Sequence, residues 1–280
     1  MEVMIIVILA TLTCALIGNF LVLRKLSLMG DAISHAVLFG IVMAFFIVGT
    51  LHSIWFFILS VLFAVFLGFI VQWIVERVSI SRESIIGVVF TFFFALGVLL
   101  IVQFAGNIHL DTHAVLFGSV EFSVFERFVF LSFDLGPKSM WTLGAVFLLN
   151  IFLIKLFYKE LKITTFDPNF ATSVGISPKL IHYLVMFLTS ITVVTAFEAV
   201  GAILVVALLV VPVVTSYIFN KRLNFMIGYS LFFALLSSIV GYLFSVYFDV
   251  SVAGAVAFIS GVILCFVVIL YKMFAYEQTN

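Results

Sequence analysis

Nine apolar runs of about twenty residues each leave this chain almost no choice of environment. A helix needs about 20 apolar residues to cross the hydrocarbon core of a bilayer. Runs of that length fall near 3–23, 28–48, 53–74, 85–105, 139–158, 181–199, 202–219, 225–247 and 252–271. Lipid offers no partner for a backbone N–H or C=O, so each run must close its own hydrogen bonds as a helix. The expected fold is an all-α polytopic membrane protein with eight or nine transmembrane helices. The count turns on Ile181–Phe219, which reads either as two spans joined at Gly201 or as one span plus a re-entrant segment. Composition agrees. Hydrophobic residues make up 65% of the 280, charged residues 9%, and mean hydropathy is +1.40. A soluble domain carries about 25% charged residues.

Lys and Arg orient the spans, because cytoplasmic loops hold the positive excess. With nine spans and the N-terminus outside, the cytoplasmic side collects Arg24, Lys25, Arg77, Arg82, Lys155, Lys159, Lys162, Lys179, Lys221, Arg222 and Lys272. Only Arg127 and Lys138 of the thirteen cationic residues stay outside. The first run lacks a basic leader and is long enough to span, so no cleavable signal peptide is expected. Cys14 and Cys265 both fall in apolar runs and read as small packing residues, neither a disulfide nor a metal pair. In the cytoplasmic connection 159–180, Asp167 followed by Pro168 predicts a helix start and Gly175 its end, with Pro178 opening the next span. That connection is expected to form a small helix of its own. It suits the docking of a soluble partner, and equally an ordinary amphipathic connector.

Against this background the polar residues inside apolar runs stand out. Asp31, His35 and Glu198 lie within or beside spans, where a carboxylate costs about 2.5–3.5 kcal/mol on insertion scales. Asp31 and His35 are four apart and share one helix face. Carboxylate and imidazole together suit a divalent transition metal in transit; the plainer alternative is a hydrogen bond that pins helix packing. Glu198, just before Gly201, reads as a pathway residue if the helix breaks there, or as an interfacial acid. His109, Asp111 and His113 alternate in the longest external loop, either as a metal transfer point or as solvated loop residues. His52 and His182 read as interface residues, and Met29 and Met43 as packing that lines the pathway near the pair. Gly30, Gly40 and Gly201 are expected to allow close helix approach. There is no phosphate loop of the G-x-x-x-x-G-K-[ST] form, no nucleophile elbow and no H-E-x-x-H.

Residues 21–40 read LVLRKLSLMGDAISHAVLFG. This resembles the signature of the manganese/zinc/iron permeases of ATP-binding-cassette importers, where a basic pair precedes S-L-M-G-D-A-x-S-H-A-V-L-P-G. Residues 167–183 (DPNFATSVGISPKLIHY) look like that family's cytoplasmic coupling segment, and 198–217 (EAVGAILVVALLVVPVVTSY) resemble its A-V-G-x-x-L-V stretch. The wording G-D-A-x-S-H-A is nearer the manganese type than the zinc type. Three positions depart from the pattern. Phe39 replaces a Pro, which should leave that helix straighter. Glu198 stands where Gln is commoner. DVSVAG at 249–254 lacks a proline.

The resemblance implies a single permease domain over 1–280 with a coupling segment at about 159–180, and no catalytic residues in this chain. It implies a second permease subunit (identical or paralogous), two copies of a cytoplasmic ATPase that hydrolyses ATP, and an extracellular or periplasmic metal-binding protein. All act in a bacterial cytoplasmic membrane, and nucleic acid plays no part. The cargo implied is manganese, with zinc or iron as alternatives, and no cofactor is bound permanently. Metal contact would fall to Asp31, His35 and Glu198, and ATPase coupling to Asp167, Pro168, Phe170 and Gly175. Three rivals remain. A proton- or sodium-coupled metal transporter would have no ATPase. A membrane metalloprotease would need a second spaced His and a general base. A permease for metal chelates would have a wider path without a paired Asp–His set.

Overall fold

The computed structural model describes residues 1–48, 54–104, 120–130 and 133–277. The long helices run α1 (Glu2–Leu23), α2 (Ser27–Val48), α3 (Ile54–Val75) and α4 (Arg82–Phe104). After a short α5 (Val120–Ser123), the strands β1 (Arg127–Phe130) and β2 (Phe133–Pro137) pair antiparallel, Arg127 opposite Pro137 and Val129 opposite Asp134. Then come α6 (Lys138–Leu156), α7 (Tyr158–Phe166), α8 (Pro168–Ser173), α9 (Pro178–Val200), α10 (Ala202–Phe219), α11 (Leu223–Phe248) and α12 (Val252–Glu277). Among the described residues, eight helices are long and apolar enough to cross a membrane. The 22-residue α2 adds a ninth long helix, polar only near Asp31 and His35.

The open choice at Gly201 resolves in favour of two helices. Gly201 has φ 82° and ψ 163°, a backbone conformation reserved for glycine, so α9 stops there and α10 starts in a new direction. Gly201 thus makes the break between the two helices, and close helix approach is seen at the other two glycines expected to allow it. Gly30 and Gly40 do serve it: a Cβ on Gly30 would sit 2.6 Å from Leu209 Cδ1, and one on Gly40 2.9 Å from Phe63 Cδ1. The tightest crossing is elsewhere, at Gly18, where a Cβ would lie 2.1 Å from the Leu209 carbonyl oxygen.

Helix α1 occupies the centre and packs on α6, α9, α10 and α11; α2, α3 and α4 form one flank and α10, α11 and α12 the other. Buried hydroxyls and amides join the central helices, with Asn19 Nδ2 donating to Ser230 Oγ (2.8 Å) and Asn150 Nδ2 to Thr192 Oγ1 (2.8 Å). The outward faces carry Phe, Leu, Val and Ile, as lipid requires. The expected single cytoplasmic helix is instead two. Helix α6 runs through Phe157 almost directly into α7, and α8 follows as a separate turn and a half. At the opposite end, Arg127 bonds both Asp134 and Glu2, tying the hairpin to the start of α1.

The Asp31–His35 pair and the cytoplasmic face

Helix α1 ends in a tight turn. Lys25 adopts φ 57°, and the Leu26 N–H reaches back to the Leu21 carbonyl at 2.7 Å, a Schellman-type closure with a lysine in the usual glycine place. Helix α2 starts at once, at Ser27, so Asp31 lies only about 6 Å and His35 about 12 Å along its axis. The pair therefore sits in the half of the bundle nearest the start of α2, the half that the positive-inside rule assigns to the cytoplasm. His35 Nε2 lies 3.2 Å from Asp31 Oδ1, and both side chains are 32% exposed. Phe90 of α4 stacks on the imidazole with centroids 6.0 Å apart, and Phe94 meets it edge-on at 5.6 Å. The sequence reading missed these two rings. Their i, i+4 spacing in VVFTFFF was the available signal.

Above the pair, α2 passes unbroken through Phe39, whose ring packs on Phe63 (4.8 Å) and Phe93 (5.4 Å). The helix is continuous where the family pattern has proline. Met29 faces the protein core, with its Cε near Gly68, and is 2% exposed. It does not line a path beside the pair. Met43 is exposed and borders an apolar groove with Phe39, Leu62 and Phe66.

Asp31, His35 and Glu198 are not brought together. Glu198 is exposed near the far end of α9, about 30 Å along that helix from Pro178, while Asp31 is close to the cytoplasmic start of α2. Among the described residues, no group of three His, Cys, Asp or Glu side chains could hold a metal ion. His109, Asp111, His113 and His52 lie outside the described residues. His182 lines a cytoplasmic cavity instead of joining a ligand group. Cys14 is buried and Cys265 exposed, and both are free thiols.

The cytoplasmic turn forms as its residues dictate. Asp167 Oδ1 accepts the Phe170 N–H at 2.9 Å as N-cap of α8, and Pro168 occupies the first turn. Gly175 closes the helix with φ 82°, where the Ile176 N–H reaches the Ala171 carbonyl at 2.9 Å. Pro178 then opens α9 behind the Ser177 cap. Phe166, Phe170 and Val174 are left half exposed on this face. Lys179 Nζ donates to Glu76 Oε2 at 3.1 Å, bracing the start of α9 against the end of α3. Bonds from Gln72 and Lys179 hold the Glu76 carboxyl below the usual carboxylate range.

The manganese transport system membrane protein MntD of Bacillus subtilis is 41% identical over 255 residues, 91% of this chain and 86% of that protein. The zinc transport system membrane protein TroD of Treponema pallidum is 40% identical over 267 residues, 95% of this chain and 72% of its own length. Among solved structures, PsaBC from Streptococcus pneumoniae, in complex with Fab, superposes with a TM-score of 0.78 at 31% identity, covering 95% of this chain and 89% of that one. The bundle of long apolar helices, the Asp–His turn of α2 and a family-model match over residues 1–272 lead to one conclusion: the chain belongs to the ABC 3 transport family.

Proposed function

We propose that this chain is the membrane-spanning permease subunit of an ATP-driven importer of divalent transition metal, with manganese as the cargo. One observation carries the reading. Asp31 and His35 stand 3.2 Å apart on a partly uncovered face of α2 and offer one oxygen and one nitrogen. A divalent transition metal takes four or more ligands, so one chain presents half a site. A second permease subunit bringing the same turn of its own α2 to a shared axis would complete an O2N2 set. Such a set suits Mn(II), Zn(II) or Fe(II) better than Mg(II), because imidazole favours transition metals. Phe90 and Phe94 fix the imidazole plane, which limits the rotamers His35 can sample before the metal arrives.

Energy would come from outside this chain. Two copies of a cytoplasmic ATPase would dock on the exposed Phe166, Phe170 and Val174 around the Asp167-capped turn. An external binding protein would hand over the ion at the opposite end. ATP-driven closure of the ATPases would move α7 and α8, and with them the α1–α2 turn to which α7 is bonded through Arg24. Manganese is preferred because most of the relatives are named for manganese transport; TroD is named for zinc, which makes zinc the second reading.

Radiolabelled manganese and zinc uptake in cells lacking this chain, then supplied with Asp31→Ala or His35→Ala, tests the assignment. Uptake is expected to fall to background while the subunits still co-purify. Native uptake by the double variant would sink the metal role of the pair. Uptake with no ATPase bound to the purified permease would favour an ion-coupled transporter instead.

A further inference from the structure

At the cytoplasmic end of the bundle, a cavity of about 350 Å3 lies between the α1–α2 turn, the starts of α4 and α9, and the end of α7. Its charged lining is one-sided. Arg24, Lys25, Arg82 and Lys179 bring four positive charges against one carboxylate, Glu76, an excess of three. Glu76 already accepts from Gln72 at 3.0 Å and from Lys179 at 3.1 Å, so it is a poor counter-charge for the remaining cations. Arg24 is the innermost of them. Its Nε donates to Thr165 Oγ1 at 3.0 Å and its Nη2 to Thr164 Oγ1 at 2.7 Å, both neutral acceptors, and among the described residues it has no carboxylate partner. Partly withdrawing a guanidinium from water without an opposite charge is costly, and burial lowers the Arg24 pKa to about 10. The first residues of α4 and α9 line the same space, and Leu26 places the start of α2 beside it, so their positive dipole ends add to the field.

The cargo cannot account for this arrangement, since a divalent cation entering the cavity would meet a net repulsion from the excess of three positive charges. The level of the cavity in the membrane narrows the alternatives. Trp73 is 49% exposed, and the Arg77 guanidinium sits 4.2 Å over its ring, within a turn of the lining residues Gln72 and Glu76. Exposed Trp marks the headgroup layer, and Arg on the same helix end marks its cytoplasmic side. Basic pockets between transmembrane helices at that level take anionic headgroups.

We propose that this cavity is a binding site for a phosphate-type oxyanion, held by the forked guanidinium groups of Arg24 and Arg82 with Lys25 and Lys179 at the rim. The oxyanion is the phosphodiester of an anionic lipid in the cytoplasmic leaflet, or free phosphate. Two guanidinium forks match the oxygen spacing of phosphate, and charge-assisted bonds of this kind are about twice as strong as neutral ones. Once bound, the anion neutralises Arg24 and joins the α1–α2 turn to α4 and α9 through a single ligand.

The complete transporter, purified with its partner subunits, is placed in phosphatidylcholine nanodiscs with and without phosphatidylglycerol and released for native mass spectrometry. Inorganic phosphate binding is followed in parallel by phosphorus NMR. The test variant is Arg82→Gln with Lys179→Gln, both near the surface, and Arg24→Gln is the second variant. Neither metal nor ATP is added, so the result is independent of the transport reading. Phosphatidylglycerol retained by the native protein and about tenfold less by the variants is the expected result. Saturable phosphate binding that the variants lose, with no lipid retained, supports the same site filled from solution. Equal retention and equal phosphate binding in native and variant proteins overturns the proposal. So does loss of the ATPase from the variants with lipid and phosphate binding unchanged, since the cavity would then receive an acidic protein side chain.

Discussion

His35 is held from two sides, by the Asp31 carboxylate one turn below it and by the Phe90 and Phe94 rings of α4. The carboxylate orients the imidazole, while the rings set its plane and exclude lipid from one side. Arg24, eleven residues before His35, fixes the base of the same helix by donating to Thr164 and Thr165. Hydrogen bonds from a charged donor contribute about 1.5–3 kcal/mol each, so Arg24→Ala is expected to lower stability by about 2 kcal/mol. Arg24→Lys should recover only part of the loss, because a single ammonium cannot match a fork that meets two hydroxyls at once. Thermal unfolding of the detergent-purified protein, followed by size-exclusion chromatography, measures both; an unchanged midpoint in Arg24→Ala would remove Arg24 as an anchor of α2.

Between elements, glycine decides how close the helices come. Gly18 lets the α1 backbone touch the Leu209 carbonyl of α10, and a Cβ there would have to occupy the oxygen's own space. Gly18→Ala is expected to destabilise by about 1–3 kcal/mol through forced separation of α1 and α10. Gly228→Ala, with nothing within 4 Å of the new Cβ, should be neutral or stabilising by up to about 1 kcal/mol. The pair, compared by thermal midpoint, separates a packing role from a general effect of glycine replacement; equal losses would contradict the close approach. On the outer side, the β1–β2 hairpin depends on charge. The Gly136 N–H bonds Asp134 at 3.0 Å, and together with Arg127 it depresses the Asp134 pKa below its ordinary value. A depressed carboxylate contributes stability above the unfolded-state pKa, and that contribution disappears as pH falls through the lowered folded value. Hydrogen-exchange protection factors over 127–130 and 133–137, taken relative to the intrinsic exchange rate at each pH, should thus stay high near neutrality and fall in acid below about pH 4, with salt lowering them too. Uniform protection across that range would mean that the ion pairs do not hold the hairpin.

For the whole molecule, the two ends of the bundle carry different charge. Arg24, Lys25, Arg82 and Lys179 gather at one end, and the Arg127–Asp134–Glu2 cluster stands at the other. The positive-inside rule places the first end in the cytoplasm. In a Cys265→Ser background, a membrane-impermeant maleimide should label Asp134→Cys in intact cells and Ser173→Cys only after permeabilisation. The reverse pattern would invert the molecule and move the Asp31–His35 pair to the outer half. Under the proposed function, the exposed side of α2, with Asp31, His35 and the groove at Phe39 and Met43, would be the surface on which a second permease subunit completes the ligand set.

Hydropathy alone determined the helical class and the spans to within a few residues, because each span closes its hydrogen bonds internally and meets lipid independently of its neighbours; the orientation was read from the placement of Lys and Arg. Local rules also sufficed for Asp167, Pro168, Gly175 and Pro178, whose capping geometry involves only adjacent residues, and for the one-turn stacking of Asp31 and His35. The break at Gly201 needed the backbone itself, since an apolar run of that length is compatible with either topology. Contacts across helices lie beyond any reading of periodicity. Phe90 and Phe94 against His35, Gly18 against Leu209, Glu198 at the far end from Asp31, and a basic cavity assembled from the ends of six helices all arise from distances between residues far apart in the chain. Those distances are set by how side chains interlock in three dimensions, which the order of residues along one strand of text does not contain.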